Sequence, residues 1–276
     1  MWRMPSFSPL SFIFITASFL VSGRGRIAIL NGIEAWFADL AADFKLNFIE
    51  EARWKWIVEG LGNTLKITFF ALIIGILLGV IVAAVRSTYD KNREAMAIHK
   101  SVRYYVLKLL NAICHLYLTV IRGTPVVVQL LITYFIIFAS SRNDMMVAVF
   151  AFGINSGAYV AEILRGGIMS IDQGQFEAGR SLGFNYPQTM IYIIIPQVFK
   201  SVLPTLCNEF IMLLKETSIA GYVGIMDLTK AGDLIQANTY SAFMPLIAVA
   251  AVYLVMVVIL TSLVGRLERR LRKNER

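Results

Sequence analysis

The chain has 276 residues, of which 57% are hydrophobic and only 16% charged, where a soluble domain carries about a quarter charged residues. That balance excludes an ordinary soluble domain, and several uncharged runs reach membrane-spanning length. The net charge of +8 and pI near 9.5 would suit a nucleic-acid binder if the chain were soluble. Here the positive charges fall in short segments between or after apolar runs, so they report membrane topology and point to no nucleic-acid partner.

In chain order, residues 1–23 hold Arg3 and then an apolar run from 5 to 21 that contains two prolines. Three readings stay open for this leader: a weak first span, a signal-like segment, or residues upstream of the true start. Residues 24–60 carry five basic and six acidic side chains interleaved with Trp36, Phe37, Leu40, Phe44, Phe48, Trp54 and Trp56. This pattern predicts an amphipathic helix lying in the membrane interface on aromatic anchors. Residues 67–85 are nineteen residues without a charge, with Gly75 and Gly79 forming a small-xxx-small face for close helix contact. Residues 86–108 follow with six basic and two acidic groups, as in a cytoplasmic loop, so this first core span enters from outside.

The stretch 109–141 is apolar except for His115 and Arg122 and is interrupted by Gly123-Thr124-Pro125. As one helix it would be roughly 50 Å long, too long for a straight span, so a break is predicted at Pro125. Arg122 reads as an end charge or an ion-pair member, and Gln129 is the polar residue placed to border a pathway. The next span, 145–171, holds Asn155, Ser156, Tyr159, Glu162 and Arg165. Glu162 and Arg165 share a face three residues apart. Two readings stand: a structural ion pair, or a Glu162 that borders a route for a cationic or zwitterionic solute.

A polar island, DQGQFEAGRSLGFNYPQTMIYIIIP at 172–196, comes next. Phe176, Ala178, Leu182 and Phe184 are expected to pack one side of a short helix with Glu177, Arg180 and Ser181 on its rim. Gly183 ends that helix and Pro187 bars its continuation. Residues 188–226 are studded with Pro196, Pro204, Lys200, Asn208, Glu209, Lys215 and Glu216, so this helix must face protein or a water-filled cavity. Asn208, Glu209 and Met212 are expected on adjacent turns of one face, lining a translocation route. Residues 227–241 read as an outside loop, and 242–265 are twenty-four uncharged residues. The tail RLERRLRKNER, with six basic and two acidic groups, then fixes a cytoplasmic C-terminus. From residue 61 onward, five spans satisfy every charge cluster.

Within the polar island, Glu177-Ala178, Gly183 six residues after the Glu, and Ile193-x-Ile195-Pro196 at fixed distance resemble the EAA loop of ABC-importer permeases. Gly179 stands for the family's usual second Ala and Ile195 for its Leu. TVIRGTPVVVQLL, NSGAYVAEILRGGI and LPTLCNEFIMLLKETSIAGYVG resemble the polar amino-acid subfamily, with Cys207 in place of a usual glycine. The resemblance implies an all-α integral membrane protein with a MetI-like permease fold of five core transmembrane helices. It divides the chain into an N-terminal apolar and amphipathic leader (1–47) and a transmembrane domain (48–276) with its coupling loop at 172–187. It implies that Glu177, Ala178, Gly179, Gly183 and Pro196 couple the permease to a separate ABC ATPase. Gln129, Asn155, Glu162, Asn208, Glu209 and Met212 are the candidates for the solute pathway.

The same resemblance implies a bacterial cytoplasmic membrane, with the core N-terminus outside and the C-terminus inside. It also implies an external solute-binding protein, a second permease copy or close paralogue, and a small polar amino acid as cargo. The chain has no Gly-x-x-x-x-Gly-Lys-Ser/Thr string, so ATP and Mg belong to the partner and no cofactor is expected here. Cys114 and Cys207 are single and distant, and predict neither a disulfide nor a metal site. The alternatives are an ATP-independent carrier or channel, which would show paired halves with matching broken helices, and an intramembrane enzyme or scaffold. The sequence shows no internal repeat and no HExxH.

Overall fold

The computed structural model describes residues 35–99 and 102–273. The readings for 1–34, and for the last three residues of the basic tail, lie outside the described residues. Five helices are long and apolar enough to cross a membrane: Trp54–Lys91, Val102–Gly123, Asp144–Ser170, Tyr186–Val223 and Phe243–Leu271.

The lead-in is helix α1, residues 35–44, which leaves Trp36 and Phe37 exposed. It passes through a π turn at Lys45–Ile49. Glu51 and Ala52 then adopt φ of 54° and 53°, so the interface helix expected across 24–60 is broken here and its last part begins α2. Arg53 secures the bend by donating to the Leu46 carbonyl at 2.6 Å and pairing with Glu51 at 2.9 Å.

Helix α2, Trp54–His99, is 46 residues long, roughly 70 Å, more than twice the ~30 Å hydrocarbon layer. The basic run expected as a loop is therefore helical up to His99, and α2 projects beyond the membrane. Helix α3, Val102–Gly123, returns. The helix breaks before Pro125, and α4, Val126–Ile132, follows and runs into a π turn at Thr133–Ile137. Helix α5, Asp144–Ser170, is N-capped by Asn143, whose side chain accepts from the Met146 amide at 3.0 Å. The short helices α6, Gln173–Ser181, and α7, Tyr186–Thr189, lead into α8, Ile195–Glu216. Helix α10, Phe243–Lys273, closes the chain.

The segment expected as an outside loop contains a further helix, α9, Leu228–Thr239. Its buried residues Leu228, Ala231, Gly232 and Ile235 follow the i, i+3, i+4, i+7 spacing of one apolar stripe, seated against α2 and α10. Asp227 caps it, accepting from the amides of Thr229 at 2.9 Å and Lys230 at 3.2 Å. Burial pushes the Asp227 carboxyl above the ordinary range, and these amide donors oppose that rise. Thr64 of α2 accepts from the Leu228 amide at 3.1 Å, and Thr239 donates to the buried Asn47 at 2.8 Å. These bonds join the lead-in, α2 and α9 into one end of the bundle.

Helix α5 is the hub. Of its most apolar window 61% is buried, against 6% for α3 and 11% for α10. Its principal partner is α2, and the two approach through small residues. A methyl added at Gly79 would lie 2.5 Å from Val160 Cγ1, and one at Gly153 2.8 Å from Ile74. Lipid offers no hydrophobic drive between helices, so close backbone packing of this kind is what holds such a pair. Gly79→Ala is expected to cost about 1–3 kcal/mol by overpacking, measured as a lower melting temperature in detergent. Adding Val160→Ala restores part of the loss. Gly62→Ala, with nothing within 4 Å, serves as the control.

Candidate functional site

Two features are built on this frame: a short helix at one end of the bundle and a chain of polar side chains inside it. The helix is α6. Asp172 caps its start by accepting from the Gly174 amide at 2.6 Å. At its end Gly183 adopts φ +79°, Phe184 N–H bonds the Gly179 carbonyl at 3.0 Å and Gly183 N–H bonds Arg180 at 2.9 Å. This is a complete Schellman stop, which needs a residue at ease in the left-handed region. Pro187 then sits in the first turn of α7, behind an Asn185–Gln188 capping box.

The buried face of α6 differs from the expected one. Phe176 and Gly179 are buried, whereas Ala178 is exposed and Leu182 is 70% exposed. Phe176 enters an apolar cluster with Ile168 of α5 and Ile194, Val198 and Val202 of the α8 segment. Gly179 lies so close to the buried Thr189 that an added methyl would meet its Cγ2 at 2.6 Å. The glycine in the family's alanine position is thus the residue that lets α6 lie flat on α7. Glu177, Ala178, Ser181 and Leu182 form the opposite, exposed face. A cleft of about 150 Å³ beside α6 is lined by Lys91, Gln173, Phe176, Arg180, Tyr186 and Thr189.

Pro196 marks the junction after α7. It carries no N–H, and the preceding turn widens to π form, with Ile195 N–H reaching back to the Met190 carbonyl. This irregular turn joins α7 to α8.

Inside the bundle, Gln129 repairs the break at Pro125. The Ile121 carbonyl would accept from residue 125 in an unbroken helix, but proline has nothing to donate. Gln129 Nε2 donates to that carbonyl at 2.7 Å, and to Thr124 O and Oγ1 at 3.1 and 2.9 Å. Its Oε1 accepts from the buried Asn155 at 3.0 Å. One residue along α5, Ser156 donates to Glu209 of α8 at 2.9 Å. Gln129, Asn155, Ser156 and Glu209 therefore link α4, α5 and α8 across the apolar interior.

This arrangement divides the trio expected on one face of α8. Glu209 is 6% exposed and turned to α5, while Asn208 and Met212, four residues apart, lie on the exposed face. Successive residues on a helix are rotated by about 100°, so neighbours at 208 and 209 diverge. Glu162 lies apart from these groups. It pairs with Arg165 at 3.2 Å, and Arg165 pairs in turn with Asp90 of α2 at 3.3 Å. Sequence reasoning gave no role to Asp90, Lys91 or Ser156, because their partners lie 53 to 82 residues away. The Gln129 contact was readable in principle from a glutamine four residues after a proline.

The chain is similar to known proteins along most of its length. Residues 96–273 match the family described as the binding-protein-dependent transport system inner membrane component. It is 37% identical over 223 residues to the arginine transport system permease protein ArtQ of Bacillus subtilis, covering 79% of this chain and 94% of the relative. It is 34% identical to the glutamine transport system permease protein GlnP of Escherichia coli, covering 78% of this chain and 93% of the relative. Among solved structures, an amino acid ABC transporter crystallised with histidines matches with a TM-score of 0.69 and 40% identity, over 81% of this chain and 98% of that one. An inward-facing MetNI methionine ABC transporter matches with a TM-score of 0.61 and 20% identity, a likeness of fold alone.

The polar chain yields a test. Gln129→Leu strands the part-buried Ile121 carbonyl and Asn155, and is expected to cost about 1–3 kcal/mol. In a double-mutant cycle with Asn155→Leu, thermal melting in detergent is expected to show losses that add to less than their sum, by about 0.5 kcal/mol or more. The family match, the relatives and the fold agree: this chain belongs to the binding-protein-dependent transport system inner membrane components and is the multi-pass permease of such a system, not its ATPase.

Proposed function

We propose that this permease imports a polar amino acid, with α6 as the helix that docks into a groove of a separate ATPase. The observation that carries this reading is the two-faced build of α6. One face is locked into the bundle by Phe176 and Gly179, and the other presents Glu177, Ala178, Ser181 and Leu182. A helix fixed from behind and bare in front suits the transfer of force from a partner. Gly183 and Pro196 serve this helix by ending it sharply and by joining its neighbour α7 to α8.

The end that carries α6 also carries the basic residues of the α2 extension and of α10. The positive-inside rule supports a cytoplasmic place for it, which leaves α9 on the outer side to meet a solute-binding protein. Helices α3 and α10 bury little of their apolar surface, which suits lipid and a second permease, identical or a close paralogue. In such a pair the exposed Asn208 and Met212 of α8 border the solute route. Glu209, Asn155 and Gln129 set the position of that helix from behind. The relatives are named for glutamine and arginine transport, which supports a polar amino acid as cargo. Mg-ATP is used by the ATPase, whose closure shifts the permease between outward- and inward-open states.

Glu177→Lys is expected to leave the protein in the membrane but abolish co-purification with its ATPase and substrate-stimulated ATP hydrolysis in proteoliposomes. Association and stimulation at the wild-type level would contradict the docking reading.

A further inference from the structure

At the end of the bundle that holds α6, two adjacent residues of α2 grip two different elements. Asp90 Oδ2 accepts from Arg165 Nη1 of α5 at 3.3 Å, and Arg165 Nη2 also holds Glu162 at 3.2 Å. All three ionic side chains are only 25 to 28% exposed, so water screens them less than it would a surface pair. Lys91 turns the other way. Its Nζ donates to Gln173 Oε1 of α6 at 3.2 Å and sits 4.5 Å from the centre of the Phe176 ring, in cation–π geometry. Phe176 is the residue that anchors α6 in its apolar cluster.

We infer that Asp90 and Lys91 form a joint that ties α6 to the α2–α5 helix pair, so that displacement of α6 moves both helices together. The inference rests on the reading of α6 as the docking helix. The geometry separates the joint from mere packing. The apolar contact of Phe176 already holds α6 to α5 and the α8 segment. Among the described residues, Lys91 adds α2 through its bond to Gln173 and its contact with Phe176, and Asp90–Arg165 ties the adjoining turn of α2 to α5. Helix α2 also carries Gly75 and Gly79 against α5 and Thr64 against α9. A load delivered at Lys91 therefore reaches the far end of the bundle along one continuous helix. In this reading Lys91 and Asp90 are positioning residues, acting through Gln173, Phe176 and Arg165.

The test uses the full complex of permease, ATPase and solute-binding protein in proteoliposomes, reading ATP hydrolysed per amino acid imported. Lys91→Met keeps the apolar stem and removes the charge. It is expected to leave the ATPase bound while raising ATP consumed per solute by roughly 2- to 30-fold, the scale on which such residues alter coupling. Lys91→Arg, which keeps a donor and a cation over Phe176, is expected to restore the wild-type ratio. Gln173→Leu is expected to mimic Lys91→Met. A wild-type ratio in Lys91→Met with the ATPase bound would overturn the joint. So would a loss that Lys91→Arg fails to restore. Failure of the docking reading appears elsewhere, as an intact complex in Glu177→Lys.

Discussion

The close approach of α2 and α5 is the constraint on which the other contacts depend. Glycines at 75, 79, 153 and 157 bring the two backbones together where larger side chains would collide with Ser156, Val160, Ile74 and Leu78. With α2 seated this closely, Asp90 comes within reach of Arg165, and the extension of α2 passes beside α6. Move the pair apart by a methyl group and the ionic contacts at its end lose their registration. Dispersion and geometry, rather than water exclusion, hold helices in lipid, so shape is the controlling quantity.

The second requirement is that no polar group be stranded in the apolar interior. Pro125 frees a carbonyl and Gln129 satisfies it, Asn155 satisfies Gln129, and Ser156 satisfies Glu209. Of the residues that look like solute ligands in the sequence, Gln129 and Asn155 bond each other, Glu209 is held by Ser156 and Glu162 by Arg165, while Asn155 Oδ1 stays buried without a partner. Asn208 and Met212 lie on the exposed face of α8. The same division of faces recurs on α6, where Phe176 and Gly179 point inward and Glu177 and Leu182 outward.

Much of this was legible beforehand, and for physical reasons. Long uncharged runs and proline placement fix spans and breaks, so the break at Pro125 and the sharp stop at Gly183 follow from the residues themselves. What escaped was tertiary. The extension of α2 through a basic run, the helix α9 in a segment read as loop, and the inward turn of Glu209 all depend on partners distant in sequence. The spacing of α6 was recognised but its faces were misassigned. Exposure of Ala178 and Leu182 has no signature in hydrophobicity, because apolar residues occur on exposed faces as well as in the core.

A distance measurement shows whether α6 and the adjoining C-terminal end of α5 move as one body. Spin labels at Met169→Cys and Arg180→Cys, both at exposed positions outside the face formed by Glu177, Ala178, Ser181 and Leu182, report the separation of the two helices. Cys114 and Cys207 are replaced by Ala so that only these sites react. With the ATPase bound in proteoliposomes, pulsed dipolar spectra are recorded nucleotide-free and with ATP trapped before hydrolysis. A single distance unchanged between the two states is the expected result. A shift of about 5 Å, one helical turn, between them would show that α6 slides against the bundle, and would contradict movement as one body.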